Sequence, residues 1–226
     1  MEEKKFSINH KKHPVIVMDV IPGHFTTNSV HSTHYPDVSR LKTSISTARE
    51  VARELALPYK SSSIIDTIVC LERTEVIGAF IAEELQDPGI GALNSDKEIM
   101  IISPQINANR NLVFPDNTVP YIRHKNILLL MATIVSGKQL SLALDCLDYY
   151  EGRLAGITTL FWATQRDTPK EVVALFTSDD IPGYHQSPSG DCEMCRRNIP
   201  LDALISSDGY IKMSYGFVRM EVEKAD

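Results

Sequence analysis

The chain has 226 residues, 43% of them hydrophobic and 23% charged, with a formal net charge of -6. That length suits one domain with appendages and supports a core that needs no disulfide staples. The acidic balance supplies no basic excess for holding phosphate backbones, so no nucleic-acid partner is expected.

The chain opens on the charged stretch Met1-Glu-Glu-Lys-Lys and continues to His10-Lys-Lys-His13, which reads as a frayed terminus without a secretory leader. Pro14 to Pro22 is a short apolar strand bounded by prolines, and a polar, His-rich loop follows from Gly23 to Pro36. From Ser39 to Leu57, apolar residues at Leu41, Ile45, Ala48, Val51, Ala52 and Leu55 predict one helix, ended by Pro58. Ser63 to Leu71 is a β-branched strand, Glu75 to Gln86 an amphipathic helix, and Glu98 to Ser103 a second short strand. Pro104 to Lys125 shows no period and reads as a long loop, of the kind that is functional or disordered in compact domains. Asn126 to Met131 is a nearly all-apolar third strand, Gly137 to Tyr150 a helix, and Leu154 to Trp162 another strand. The longest apolar run, Ile127 to Val135, is interrupted by Thr133 and falls far short of the ~18 residues of a membrane span. A cytoplasmic protein with no membrane partner is expected. Beyond Trp162 the chain is rich in turns, with a strand-like end from Gly209 to Met220.

This order of strands and helices predicts an α/β fold: an open, mostly parallel sheet with helices on both faces. Ligands of such sheets bind beyond the carboxyl ends of the strands. Ser136-Gly137 occupies such a turn, where glycine permits close backbone approach and a helix N-terminus favours anions. The P-loop pattern does not fit, because Ala132 replaces its first glycine and Gln139 its metal-binding hydroxyl. Without further signal, the turn is a plain serine-capped helix start.

The wider pattern resembles the type I phosphoribosyltransferases, in particular the orotate phosphoribosyltransferase group, over roughly residues 20 to 165. The stretch Phe25 to Asp37 is similar to that group's base-side segment, and Asp66 to Glu72 with Ile77 to Ala82 to its pyrophosphate-loop strand and helix. Ile127 to Gly137 is similar to the phosphoribosyl-diphosphate (PRPP) motif of four apolar residues, two acids and a Thr-Thr-Gly-like turn. The resemblance implies a 5-phosphate site at Val135, Ser136, Gly137, Lys138 and Gln139. It implies a diphosphate side at Leu71, Glu72, Arg73 and Thr74, a ribose side at Met131 and Ala132, and a base side at Phe25, His31 and Tyr35. It also implies magnesium carried in with PRPP, and a homodimer. Met131 and Ala132 stand where the family has its acidic pair, and neither can hold the ribose hydroxyls or offset charge developing on the sugar. No lysine stands in Thr27-Asn28-Ser29, and Arg110 is the single basic residue from Ser103 to Phe114. The resemblance thus implies a protein binding a phosphoribosyl ligand, PRPP or a nucleotide, with transfer to a nitrogenous base as its activity, and names no catalytic residue. The alternative is a non-catalytic binding or regulatory module on the same fold. Its expected organisation is a single domain: a hood at about 14–38, the α/β core at about 39–178, and a C-terminal extension at about 179–226.

Of the four cysteines, Cys70 and Cys146 lie in apolar runs and read as small buried hydrophobes. Cys192-Glu-Met-Cys195 is a lone C-x-x-C, a reduced surface pair or, as the alternative, a metal site completed by His185 and Asp191. Pro200 soon afterwards argues against a thioredoxin-like helix. His24, His31 and His34 share one polar loop with irregular spacing, which argues for no metal there.

Overall fold

Strand structure begins inside the segment expected to fray. In the computed structural model, which describes residues 5–109, 111–163, 167–206 and 209–213, β1 (Phe6–Asn9) pairs antiparallel with the first half of β2 (Val17–Thr26). β2 turns back into β3 (Val30–Asp37), so the polar stretch read as a loop is largely a hairpin. Phe25 and Tyr35 turn inward there, into a small core with Ile21 and Ala203.

The helix expected over residues 39–57 divides at Ser44 into α1 (Ser39–Thr43) and α2 (Ile45–Ala56). Ser44 is extended (φ −85°, ψ 115°) and caps α2. Ala48, Val51, Ala52 and Leu55 are buried as the periodicity requires, whereas Ile45 stays exposed at the broken end.

The core alternates strand and helix through β4 (Thr67–Cys70), α3 (Glu75–Gln86) and β5 (Met100–Ile102). A small hairpin follows, β6 (Gln105–Ile106) with β7 (Leu112–Val113), where the sequence suggested an unstructured loop. Then come β8 (Asn126–Ile134), α4 (Lys138–Tyr149), β9 (Arg153–Trp162) and β10 (Val172–Thr177). β10, β9, β8, β4 and β5 form, in that order, a five-stranded sheet that is parallel throughout. β8 lies in its middle, covered on both faces. Ile127, Leu129 and Met131 pack toward α4, while Leu128, Leu130 and Ala132 pack into the cluster that holds α2 and α3. Each large side chain so buried contributes roughly 1.5–3 kcal/mol.

The C-terminal segment returns to the first sheet. β11 (Gln186–Pro188) pairs antiparallel with β3, and the short helix α5 (Glu193–Arg196) follows. β12 (Ala203–Ser206) joins the end of β2 in parallel, and β13 (Gly209–Lys212) flanks it. The rest of the expected last strand, from residue 214, lies outside the described residues, as do residues 1–4 and Arg110. Among the described residues, no helix is long and apolar enough to cross a membrane.

Candidate functional site

β4 and β8 run side by side, Cys70 beside Leu130, so the loops that follow them leave the sheet at one edge. This is the carboxyl edge, where open α/β sheets bind ligands.

The loop after β4 is tied down at both ends. Leu71 N–H donates to Leu130 O at 2.9 Å, and buried Thr74 Oγ1 donates to Leu71 O at 2.9 Å. Between them Glu72 and Arg73 both adopt left-handed φ, 58° and 60°. Such a conformation costs a side-chain-bearing residue of order 1–3 kcal/mol and persists only where the surroundings enforce it. Here Lys42 Nζ donates to Glu72 O at 2.7 Å, and Glu72 Oε2 accepts from Thr133 N–H at 2.9 Å. The Glu72 carboxylate is thereby drawn over the end of β8.

The loop after β8 runs from Val135 to Gly137 into α4. Gly137 sits at φ 73° as the helix N-cap, a conformation that glycine adopts without a Cβ penalty. Its lack of a side chain leaves the helix without an Ncap side-chain hydrogen bond, and Ser136 Oγ offers Lys138 N–H only a long contact of 3.4 Å. The first-turn N–H groups of this 12-residue helix therefore carry the positive end of its dipole, with exposed Lys138 beside them. Gln186 Nε2 donates to Val135 O at 3.3 Å and to Ala163 O at 3.0 Å, which buttresses the turn from behind. Trp162, paired with Ile134 across the sheet, closes the same edge, and its buried indole N–H has no acceptor among the described residues.

Residues 71–74 and 135–139 thus follow neighbouring parallel strands at the same edge of the sheet. The other expected site residues lie elsewhere. Met131 is 0% exposed and Ala132 2%, on opposite faces of β8, because the strand continues past both of them to Ile134. Phe25 and Tyr35 pack against each other, ring centroids 5.7 Å apart, in the small core beside the β2–β3 hairpin, where burial pushes the Tyr35 phenol far above its ordinary value. His31 turns away from both, toward His24 and Cys195. A cavity of about 390 Å³ lies between the β6–β7 hairpin and α4, lined by residues such as Asn107, Leu112, Asp145 and Tyr149, and none of the two loops' residues border it.

The set offered as the alternative to a reduced pair, Cys192 and Cys195 with His185 and Asp191, does not come together. His185 is exposed and engages Thr33 through its backbone, and Asp191 pairs with Arg196 at 2.8 Å. The donor atoms of His24, His31, Cys192 and Cys195 instead lie within 4.8 Å of one another. The histidines come from the β2–β3 hairpin, and His31 and Cys195 are 164 positions apart, a distance at which sequence spacing carries no signal.

No family model matches this sequence, and no curated protein matches it. Solved structures do. The orotate phosphoribosyltransferase of Mycobacterium tuberculosis H37Rv superposes with a TM-score of 0.50 at 11% identity, over 71% of this chain and 90% of that one. The UMP synthase of Leishmania donovani gives 0.49 at 20% identity over 70% of this chain, which spans only 33% of that protein's length. Leishmania donovani adenine phosphoribosyltransferase gives 0.47 at 12% identity, over 67% of this chain and 73% of that one. The all-parallel five-stranded sheet, its helical covers and this superposition establish that the chain has the type I phosphoribosyltransferase fold.

Proposed function

We propose that the chain binds a phosphoribosyl ligand, PRPP or a nucleotide, at the carboxyl edge of the parallel sheet. The 5-phosphate rests on the turn from Val135 to Gln139, and a diphosphate faces Leu71 to Thr74. The observation that carries this reading is the α4 N-terminus opened by left-handed Gly137, at the same sheet edge as the strained Glu72–Arg73 loop. Binding without transfer is the form this site supports best, because Met131 and Ala132 are buried and bring no oxygen to a sugar. Magnesium carried with a diphosphate finds no oxygen donor in the Met131 or Ala132 side chains of β8. Transfer to a nitrogenous base is the second reading. It is favoured by the Glu72 carboxylate held over the end of β8. A cytoplasmic homodimer belongs to the same proposal. Light scattering tests it, and a concentration-independent monomer removes any site completed by a neighbouring subunit.

The test is thermal shift with PRPP, ribose 5-phosphate, nucleoside monophosphates and unphosphorylated ribose. A ligand at ten times its Kd adds about 1.4 kcal/mol, which raises the melting temperature of a domain this size by roughly 3–6 °C. Phosphorylated ligands are expected to give this shift and ribose none. Equal behaviour of ribose and ribose 5-phosphate overturns the phosphate assignment. Turnover of PRPP with orotate or another base decides for the second reading.

A further inference from the structure

We propose that His24, His31, Cys192 and Cys195 form a closed tetrahedral zinc site that clasps the C-terminal segment to the β2–β3 hairpin. With zinc–sulfur bonds of about 2.3 Å and zinc–nitrogen bonds of about 2.0–2.1 Å, a tetrahedron spaces a nitrogen and a sulfur about 3.5 Å apart and two nitrogens about 3.3 Å apart. His24 Nε2 lies 3.5 Å from Cys192 Sγ and 3.8 Å from Cys195 Sγ, and His31 Nδ1 lies 3.4 Å from Cys195 Sγ. The two ring nitrogens are 2.9 Å apart, a few tenths of an ångström closer than a shared metal would hold them. Small ring movements therefore complete the tetrahedron.

The surroundings are those of a metal site. His24 Nδ1 lies 2.9 Å from Ile199 O, and donating its proton there leaves the Nε2 lone pair facing the sulfurs. His24, His31 and Cys192 are buried, at 1%, 7% and 3% exposure. Two imidazoles and two sulfurs select zinc over the oxygen-seeking magnesium and calcium. Four protein ligands leave no open position, so the site is structural.

Its position explains what it holds. Cys192 and Cys195 fall between β11, whose Gln186 buttresses the Val135 turn, and β12, which pairs with Phe25 and Thr26. His24 N–H donates to Asp202 Oδ2 at 2.7 Å, and Asp202 N–H returns a bond to His24 O at 2.8 Å. Metal at this junction fixes residues 186–206 against the hairpin. The proposal stands without any ligand at the β8 turn.

The test uses the full chain, without a polyhistidine tag, purified under reducing conditions and reconstituted with zinc. About one zinc per chain is expected by elemental analysis, released when a mercurial titrates the thiols. His185→Ala should retain the metal, whereas His31→Ala and Cys195→Ser should lose it. Removing zinc with a strong chelator should lower the melting temperature and open residues 186–206 to protease. Should the ligand variants not fold, cobalt(II) substitution of the unmodified chain keeps the test sharp. The intense visible bands of tetrahedral cobalt, with a thiolate charge-transfer band, are expected. An octahedral spectrum, metal-free protein after reconstitution, or a Cys192–Cys195 disulfide in anaerobically purified protein overturns the proposal.

Discussion

Placing a carboxylate at Met131 tests whether the central strand is packed where a sugar would have to lie. Met131 is 0% exposed, in the cluster that includes Leu129, Leu140, Ala143 and Leu147. Removing a buried methionine side chain costs about 2–5 kcal/mol, and leaving an unpaired charge in its place costs about 3–5 more. The sum for Met131→Asp, about 5–10 kcal/mol, rivals the 5–15 kcal/mol that holds a typical domain folded. The variant is therefore expected to be largely unfolded at neutral pH. Burial would raise the new carboxyl's pKa in the folded state, so the unfolded chain loses that proton first and stability falls as pH rises above about 4. Urea unfolding followed by circular dichroism at about pH 4 and about pH 7 reads both effects. Met131→Leu is the control, expected within about 1.5 kcal/mol of wild type. A Met131→Asp protein as stable as wild type at pH 7 refutes the reasoning. Its carboxylate would then reach water, and position 131 would return to the ribose side of the site.

Lys138→Glu reverses the charge beside the α4 N-terminus and should abolish most of the shift given by ribose 5-phosphate, while leaving the unliganded melting temperature nearly unchanged. Gly156→Ala should cost about 1–3 kcal/mol in urea unfolding, because the added Cβ would approach buried Tyr59 at Cζ to 2.9 Å and strain its hydroxyl bond to Ile157 O. Tyr59→Phe removes that hydrogen bond alone, at about 1 kcal/mol. Burial pushes the Asp180 carboxyl up, but hydrogen bonds from Lys11 and Thr177 outweigh it and hold the pKa below its ordinary value. Its contribution is thus full above the unfolded pKa and lost as pH falls through the folded one. The gap between wild type and Asp180→Asn, about 1 kcal/mol at pH 7, should close in acid-unfolding curves.

The parallel sheet was legible because its strands are covered on both faces and read as unbroken apolar runs, Leu128-Leu129-Leu130 being the plainest. The Ser136-Gly137 turn was legible too, since glycine at a strand-to-helix junction has a local conformational cause. The sheet built on the β2–β3 hairpin was not. β3 carries His31, Ser32, Thr33 and His34, residues that spell a loop until partners from β2 and β11 supply the ladder. The periodicity over residues 39–57 likewise gave the buried face of α2 but not the break at Ser44, because one extended residue leaves the apolar spacing almost unchanged. At the site, sequence placed Met131 and Ala132 beside the sugar by motif position. Tertiary structure buried them, because β8 runs on to Ile134 beside β9 with a packed apolar cluster on each face. The left-handed turn at Glu72–Arg73 and the junction of His24 and His31 with Cys192 and Cys195 have no local signature. Each depends on contacts between segments far apart in the chain, which only the folded packing brings within hydrogen-bond reach.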